Sequence, residues 1–287
     1  MVGTGPTIAG HTRENGMTDS GLLCRHADRP ERLADVAAVS SFSDRGGNPQ
    51  DVFVRLGVAL PGLDLLFRTG TGVPVWSYPV EAGEGFDHWL RLRRLHERTG
   101  LYPFLVGPGD ETADLAFMAE NDCDPTAVER GLAMDAGRRL AELADLQDTI
   151  SAEEVFQNPD LDVQPNAEPE FVWDKQETLV GLIPARAGYE VPGLLSWQGA
   201  VNCDLDGADH VAILKRWHDL HGAQLVTLSF DMLELLVPTP PMDPREAAAT
   251  AVEQYAYCPD AVDQGVGSLA ALAAGQVRSP SWYFWWD

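Results

Sequence analysis

Residues 224–237 read QLVTLSFDMLELLV, and this stretch decides the fold. Two apolar runs, 224–230 and 232–237, flank Asp231 in the pattern of two strands joined by a tight turn. Just upstream, 209–221 places Val211, Leu214 and Trp217 on one face of a helix that ends at Gly222, with Asp209 placed to cap it. A strand is expected before that helix, at 177–185. Downstream, Asp243-Pro244 opens a helix that runs to about Tyr257, where Pro259 stops it. A short helix follows at 268–274, and SWYFWWD at 281–287 reads as a terminal aromatic strand. The order β-α-β-β-α-β predicts an α+β, ferredoxin-like sandwich over 177–287.

Upstream the signals are looser. DVFVRLGVAL at 51–60 alternates at its start and reads as a strand. Two more strands are expected at 63–68 and 73–80, a helix at 86–99 ended by Gly100, and a strand at 101–106. Asp124 and Pro125 open a long helix to about Leu146. Segment 51–147 therefore reads as an N-terminal α/β domain. Pro159, Pro165 and Pro169 stand among acidic residues in 148–176, which reads as an exposed linker before the C-terminal domain. Segment 1–50 is expected to be poorly ordered apart from a short helix at 29–39. Met17 is an alternative start to Met1.

The two halves share a pattern. HWLRLRRLHERTG at 88–100 aligns with HVAILKRWHDLHG at 210–222 at a constant offset. His88 matches His210, Leu92 matches Leu214, Arg94 matches Arg216, His96 matches His218, and Gly100 matches Gly222. A strand follows each helix, so two copies of a related α/β unit are expected, against the alternative of two similar amphipathic helices.

The C-terminal segment carries further distinctive runs: LIPAR at 182–186, Trp197 with Gly199, Asn202, FDMLEL at 230–235, EQYAYCPD at 253–260, Gln264-Gly265, and the terminal SWYFWWD. In these it resembles the bacterial domain-of-unknown-function family 4253 over about 177–287. The resemblance implies no activity and supplies no catalytic residues.

The chain is strongly acidic. Its 287 residues hold 20 basic and 44 acidic side chains, a net charge of −24. Segment 101–176 alone holds 4 basic and 18 acidic residues. Such a surface repels phosphate backbones, so neither nucleic acid nor an anionic membrane is the expected partner. It would attract a basic protein, or it serves solubility alone. Apolar residues make up 45% of the chain, enough for a real core. With no signal peptide pattern and no membrane-length apolar run, the expected compartment is the cytoplasm.

Candidate chemistry is sparse. Cys258, in the Cys258-Pro259-Asp260 run, is a candidate nucleophile, with His218 or His221 as base and Asp260 nearby. The plainer reading is a buried thiol under the aromatic strand. Asn202, Asp204, Asp206 and His210 resemble the opening of a calcium loop, but Ile213 stands where a bidentate Glu is needed. A divalent metal on this loop competes with a polar loop that caps a helix; no other cofactor is expected. Arg91, Arg94 and Arg98 form a basic stripe that could dock 101–176. In the terminal strand, Trp282, Phe284 and Trp286 share one face and Tyr283 and Trp285 the other, both expected to be core. The leading functional expectation is a non-enzymatic, immunity-like protein that binds a basic partner. The alternative is a hydrolase built on Cys258 and His218 or on the Asp loop.

Overall fold

The computed structural model describes residues 48–121, 124–147 and 149–287. The helix expected at 29–39, Met17, Cys24 and Cys123 lie outside them. The first element corrects an expectation. The Asn48 side chain accepts the Gln50 N–H and Pro49 fills the first helical position, so α1 (Pro49–Arg55) is a helix where alternation suggested a strand. Strands β1 (Asp64–Arg68) and β2 (Pro74–Val80) follow, then α2 (Gly85–Arg93), α3 (His96–Thr99) and β3 (Leu101–Val106). Next comes α4 (Asp110–Asn121), which had no expected counterpart.

The long helix expected from Asp124 is two helices, α5 (Ala127–Ala133) and α6 (Ala136–Leu146). Met134 is extended between them, and Asp135 opens α6 by accepting the Arg138 N–H. Asp124 makes a local turn instead, accepting from the Thr126 N–H and hydroxyl. The expected linker carries α7 (Ala152–Gln157), started by a reciprocal capping box between Ser151 and Glu154.

The C-terminal elements are β4 (Thr178–Pro184), α8 (Val191–Leu194), α9 (Gly207–His221), β5 (Gln224–Leu228), β6 (Met232–Leu236), α10 (Pro244–Tyr257), α11 (Leu269–Ala274) and β7 (Ser281–Trp285). The order β4-α9-β5-β6-α10-β7 is the one the sequence predicts, in an α+β architecture. Asp206, and not Asp209, is the cap of α9; Asp209 returns the bond from the third position.

The sheet is larger than a ferredoxin-like sandwich. Seven strands stand in the order β1-β2-β4-β3-β5-β6-β7. β3 and β5 are parallel; every other neighbouring pair is antiparallel. Strand β4 thus lies between β2 and β3, and all six residues of β3 are buried. Helices cover both faces. On one, Leu115 of α4, Leu140 of α6, and Leu214 and Trp217 of α9 pack with Tyr102, Phe104 and Ile183. On the other, Phe53 of α1 and Trp89 and Leu92 of α2 pack with Leu101, Leu105 and Val180. A smaller cluster joins α7, α10 and α11 through Val155, Ala251 and Leu272.

The aromatic strand β7 is an edge. Trp282, Phe284 and Trp286 are buried, but Tyr283 is 39% exposed, so only one face is fully core. Among the described residues, no ion pair joins Arg91, Arg94 or Arg98 to 101–176; Arg91 donates to the Ala59 carbonyl. Among the same residues, no helix is long and apolar enough to cross a membrane.

Candidate functional site

The shared pattern of the two halves has a structural outcome. Each helix ends at a left-handed glycine, Gly100 (φ 70°) and Gly222 (φ 68°), which turns the chain into β3 and β5. Those strands are parallel neighbours, and their helices lie on opposite faces of the sheet. The equivalence ends there. β2 runs parallel to β3, whereas β4 runs antiparallel to β5. His96 and His218 each precede their glycine by four residues, so both come to the start of the parallel pair.

There they line one cleft of about 260 Å³, together with Arg93, Tyr102, Arg186 and Tyr189. His96 is buried and its Nε2 donates to the Ala185 carbonyl at 2.7 Å. Burial holds its pKa down at about 4, with the Arg93 charge adding to the effect against the Ala185 bond. His218 donates from Nδ1 to the Ala223 carbonyl at 2.9 Å, and its ring lies 5.5 Å from that of Tyr189. Arg93 sits over the Tyr102 ring at 5.4 Å. Its buried Nε has no hydrogen-bond partner, and among the described residues it forms no ion pair. Arg186 is oriented by Glu190, whose two oxygens accept its Nε and its backbone N–H. Glu97 is the acidic side chain along the cleft. Gly188 lets the floor close tightly, since a Cβ there would stand 2.3 Å from the Tyr102 hydroxyl oxygen.

The other candidates lie elsewhere. Cys258 is fully buried, and its thiol donates to the Trp285 carbonyl at 3.0 Å. Burial pushes that thiol up to about 12. No hydrogen bond joins it to His218, His221 or Asp260 among the described residues. His221 lies edge-on to Trp282. Asp260 accepts the Asp287 N–H and the Gln264 amide. Trp286 Nε1 donates to the Tyr257 carbonyl. The Cys258-Pro259-Asp260 turn and the terminal strand are thus clasped by three contacts. Residues 179–287 match the model of a family described as a domain of unknown function, DUF4253. The resemblance drawn from the sequence is borne out, and the clasp lies wholly within the DUF4253 segment. No curated protein and no solved structure matches the chain.

Within the DUF4253 segment the four loop residues serve other contacts. Asn202 donates to the Asp287 carbonyl. Asp204 adopts a left-handed conformation and its carbonyl accepts Arg139. Asp206 caps α9 and pairs with Arg130 at 2.8 Å. His210 is buried, with Nδ1 2.7 Å from the Tyr257 hydroxyl and Trp197 and Trp286 packed around the ring. Among the described residues, no group of three His, Cys, Asp or Glu could hold a metal ion. Arg186, Tyr189 and His218 come from the DUF4253 segment and Arg93 and His96 from upstream, so the cleft needs both. The offset pairing of His96 with His218 is the sequence signal that finds it. In the same alignment Arg93 stands opposite Lys215, and Arg186 ends the LIPAR run, but neither pattern marks a cleft residue, and Tyr189 leaves no trace.

Proposed function

We propose that this is a binding protein whose site is the cleft at the start of β3 and β5, and that its ligand is a small molecule carrying an oxyanion, a phosphate or a carboxylate. The observation that supports this reading is Arg93. In a chain of net charge −24, its guanidinium has no ion-pair partner among the described residues and sits in a polar cleft lined by a second arginine. A cation left uncompensated in such a place is suited to an anionic group from outside. Two histidines and a tyrosine supply the orienting polar groups that small-molecule sites use. The protein acts in the cytoplasm.

Calorimetric titration with inorganic phosphate and with acetate tests this. Binding of either, weakened at least tenfold in Arg93→Ala, supports the reading. Failure of both to bind at millimolar concentration overturns it.

A second reading, a basic protein partner held by the acidic surface in the manner of an immunity protein, is favoured by the charge of segment 101–176. It predicts association that weakens steeply with added salt. Salt-insensitive association, or none with a basic protein such as lysozyme or a histone, would count against it.

A further inference from the structure

The two cleft histidines carry information about the ligand beyond its charge. A backbone carbonyl can only accept a hydrogen bond, so the ring nitrogen facing it must carry the proton. The Ala185 carbonyl therefore fixes the proton of His96 on Nε2. The Ala223 carbonyl fixes that of His218 on Nδ1. When its ring is neutral, each histidine presents the remaining nitrogen, Nδ1 of His96 and Nε2 of His218, as an acceptor with a lone pair. Neither has a hydrogen-bond partner within the described residues, and neither is sealed from access as Nε2 of His210 is. His96 stays neutral at ordinary pH because burial and the Arg93 charge disfavour its cation.

The cleft thus pairs two guanidinium donors with two imidazole acceptors. An anion by itself matches only the first pair. We infer that the ligand carries its oxyanion next to a hydroxyl or amine N–H or O–H donor, as in a hydroxy acid or a phosphorylated polyol. Its anionic end meets Arg93 and Arg186, and its donor meets His218, with His96 as the deeper acceptor. Leaving a site acceptor unpaired is what discriminates against a ligand lacking the donor. This inference rests on the anion-binding reading above.

The experiment compares two matched pairs by calorimetry at pH 8: glycerol 3-phosphate against propyl phosphate, and lactate against propionate. A hydroxylated member that binds about 3- to 10-fold tighter than its partner supports the inference, the range one neutral hydrogen bond provides. Equal affinity within every pair that binds overturns it while leaving anion binding intact. Failure of all four overturns the anion-binding reading itself. His218→Phe, which keeps a ring and removes the acceptor, is expected to equalise the pair. Nitrogen NMR of the unmodified protein gives an independent check. It should find His96 protonated on Nε2 and His218 on Nδ1, and the opposite tautomer at either position would also overturn the inference.

Discussion

Trp89 and Tyr102 donate to the same atom from opposite faces of the sheet. The Trp89 Nε1–H reaches the Leu225 carbonyl at 3.1 Å, and the Tyr102 O–H reaches the same carbonyl at 2.9 Å. Leu225 lies where the β5–β6 register shifts, and these two side chains lock that shift between the two core layers. Tyr102 also lines the cleft, so the lock bears on its shape. Tyr102→Phe is expected to cost about 1 kcal/mol and Trp89→Phe about 1–2 kcal/mol, with the pair non-additive because they share an acceptor. Urea denaturation of both single variants and the double variant measures the coupling.

Glu234 gives the fold a pH dependence with a definite sign. It is 2% exposed on β6, and one oxygen accepts the Val172 N–H. Burial raises its pKa from 4.5 to about 7. The native state then binds more protons than the unfolded state between those values, so stability is full below about pH 4.5 and falls as pH rises to about 7. The loss is on the order of 3 kcal/mol. Glu234→Gln should flatten this slope. Urea midpoints at pH 5 and pH 8 for both proteins provide the comparison.

Cys258 is expected to be inert. A buried thiol held at about 12 has almost no thiolate at neutral pH. Timed alkylation with iodoacetamide, followed by peptide mass spectrometry, should label half-buried Cys203 well before Cys258. Rapid native labelling of Cys258 would contradict this environment.

Gly188→Ala should damage the cleft more than the fold. Its new methyl would collide with the Tyr102 ring and hydroxyl, at a cost of about 1–3 kcal/mol. Phosphate affinity is expected to fall together with the thermal midpoint. Affinity unchanged from the parent protein would separate Gly188 from the site.

The elements of the C-terminal segment were legible because their signals are local. The Asp243-Pro244 cap, the left-handed Gly222 and the alternation of 281–287 each act within a turn or a strand. Segment 51–60 misled because Asn48 and Pro49, just ahead of it, start a helix that its alternation does not reveal. The break at Met134 went unread because Asp135 lies within a helical pattern and caps only in context. Strand order left no trace at all. β4 pairs with β3 across more than seventy residues, and nothing in either strand names its neighbour. For the site, the histidine offset was visible, whereas the gathering of Arg93, Arg186 and Tyr189 around it follows from the strand order.

The place of β4 also sets a timetable for the ribosome. β2 and β3 are made early, yet the strand that fills the space between them is made some seventy residues later. Until then the central β3 has unsatisfied edges on both sides, since β5 comes later still. The nascent chain must therefore wait with unpaired strands, a state open to aggregation and to chaperone capture. Synthesis that pauses between residues 107 and 178 should be more hazardous to this protein than a pause after β5.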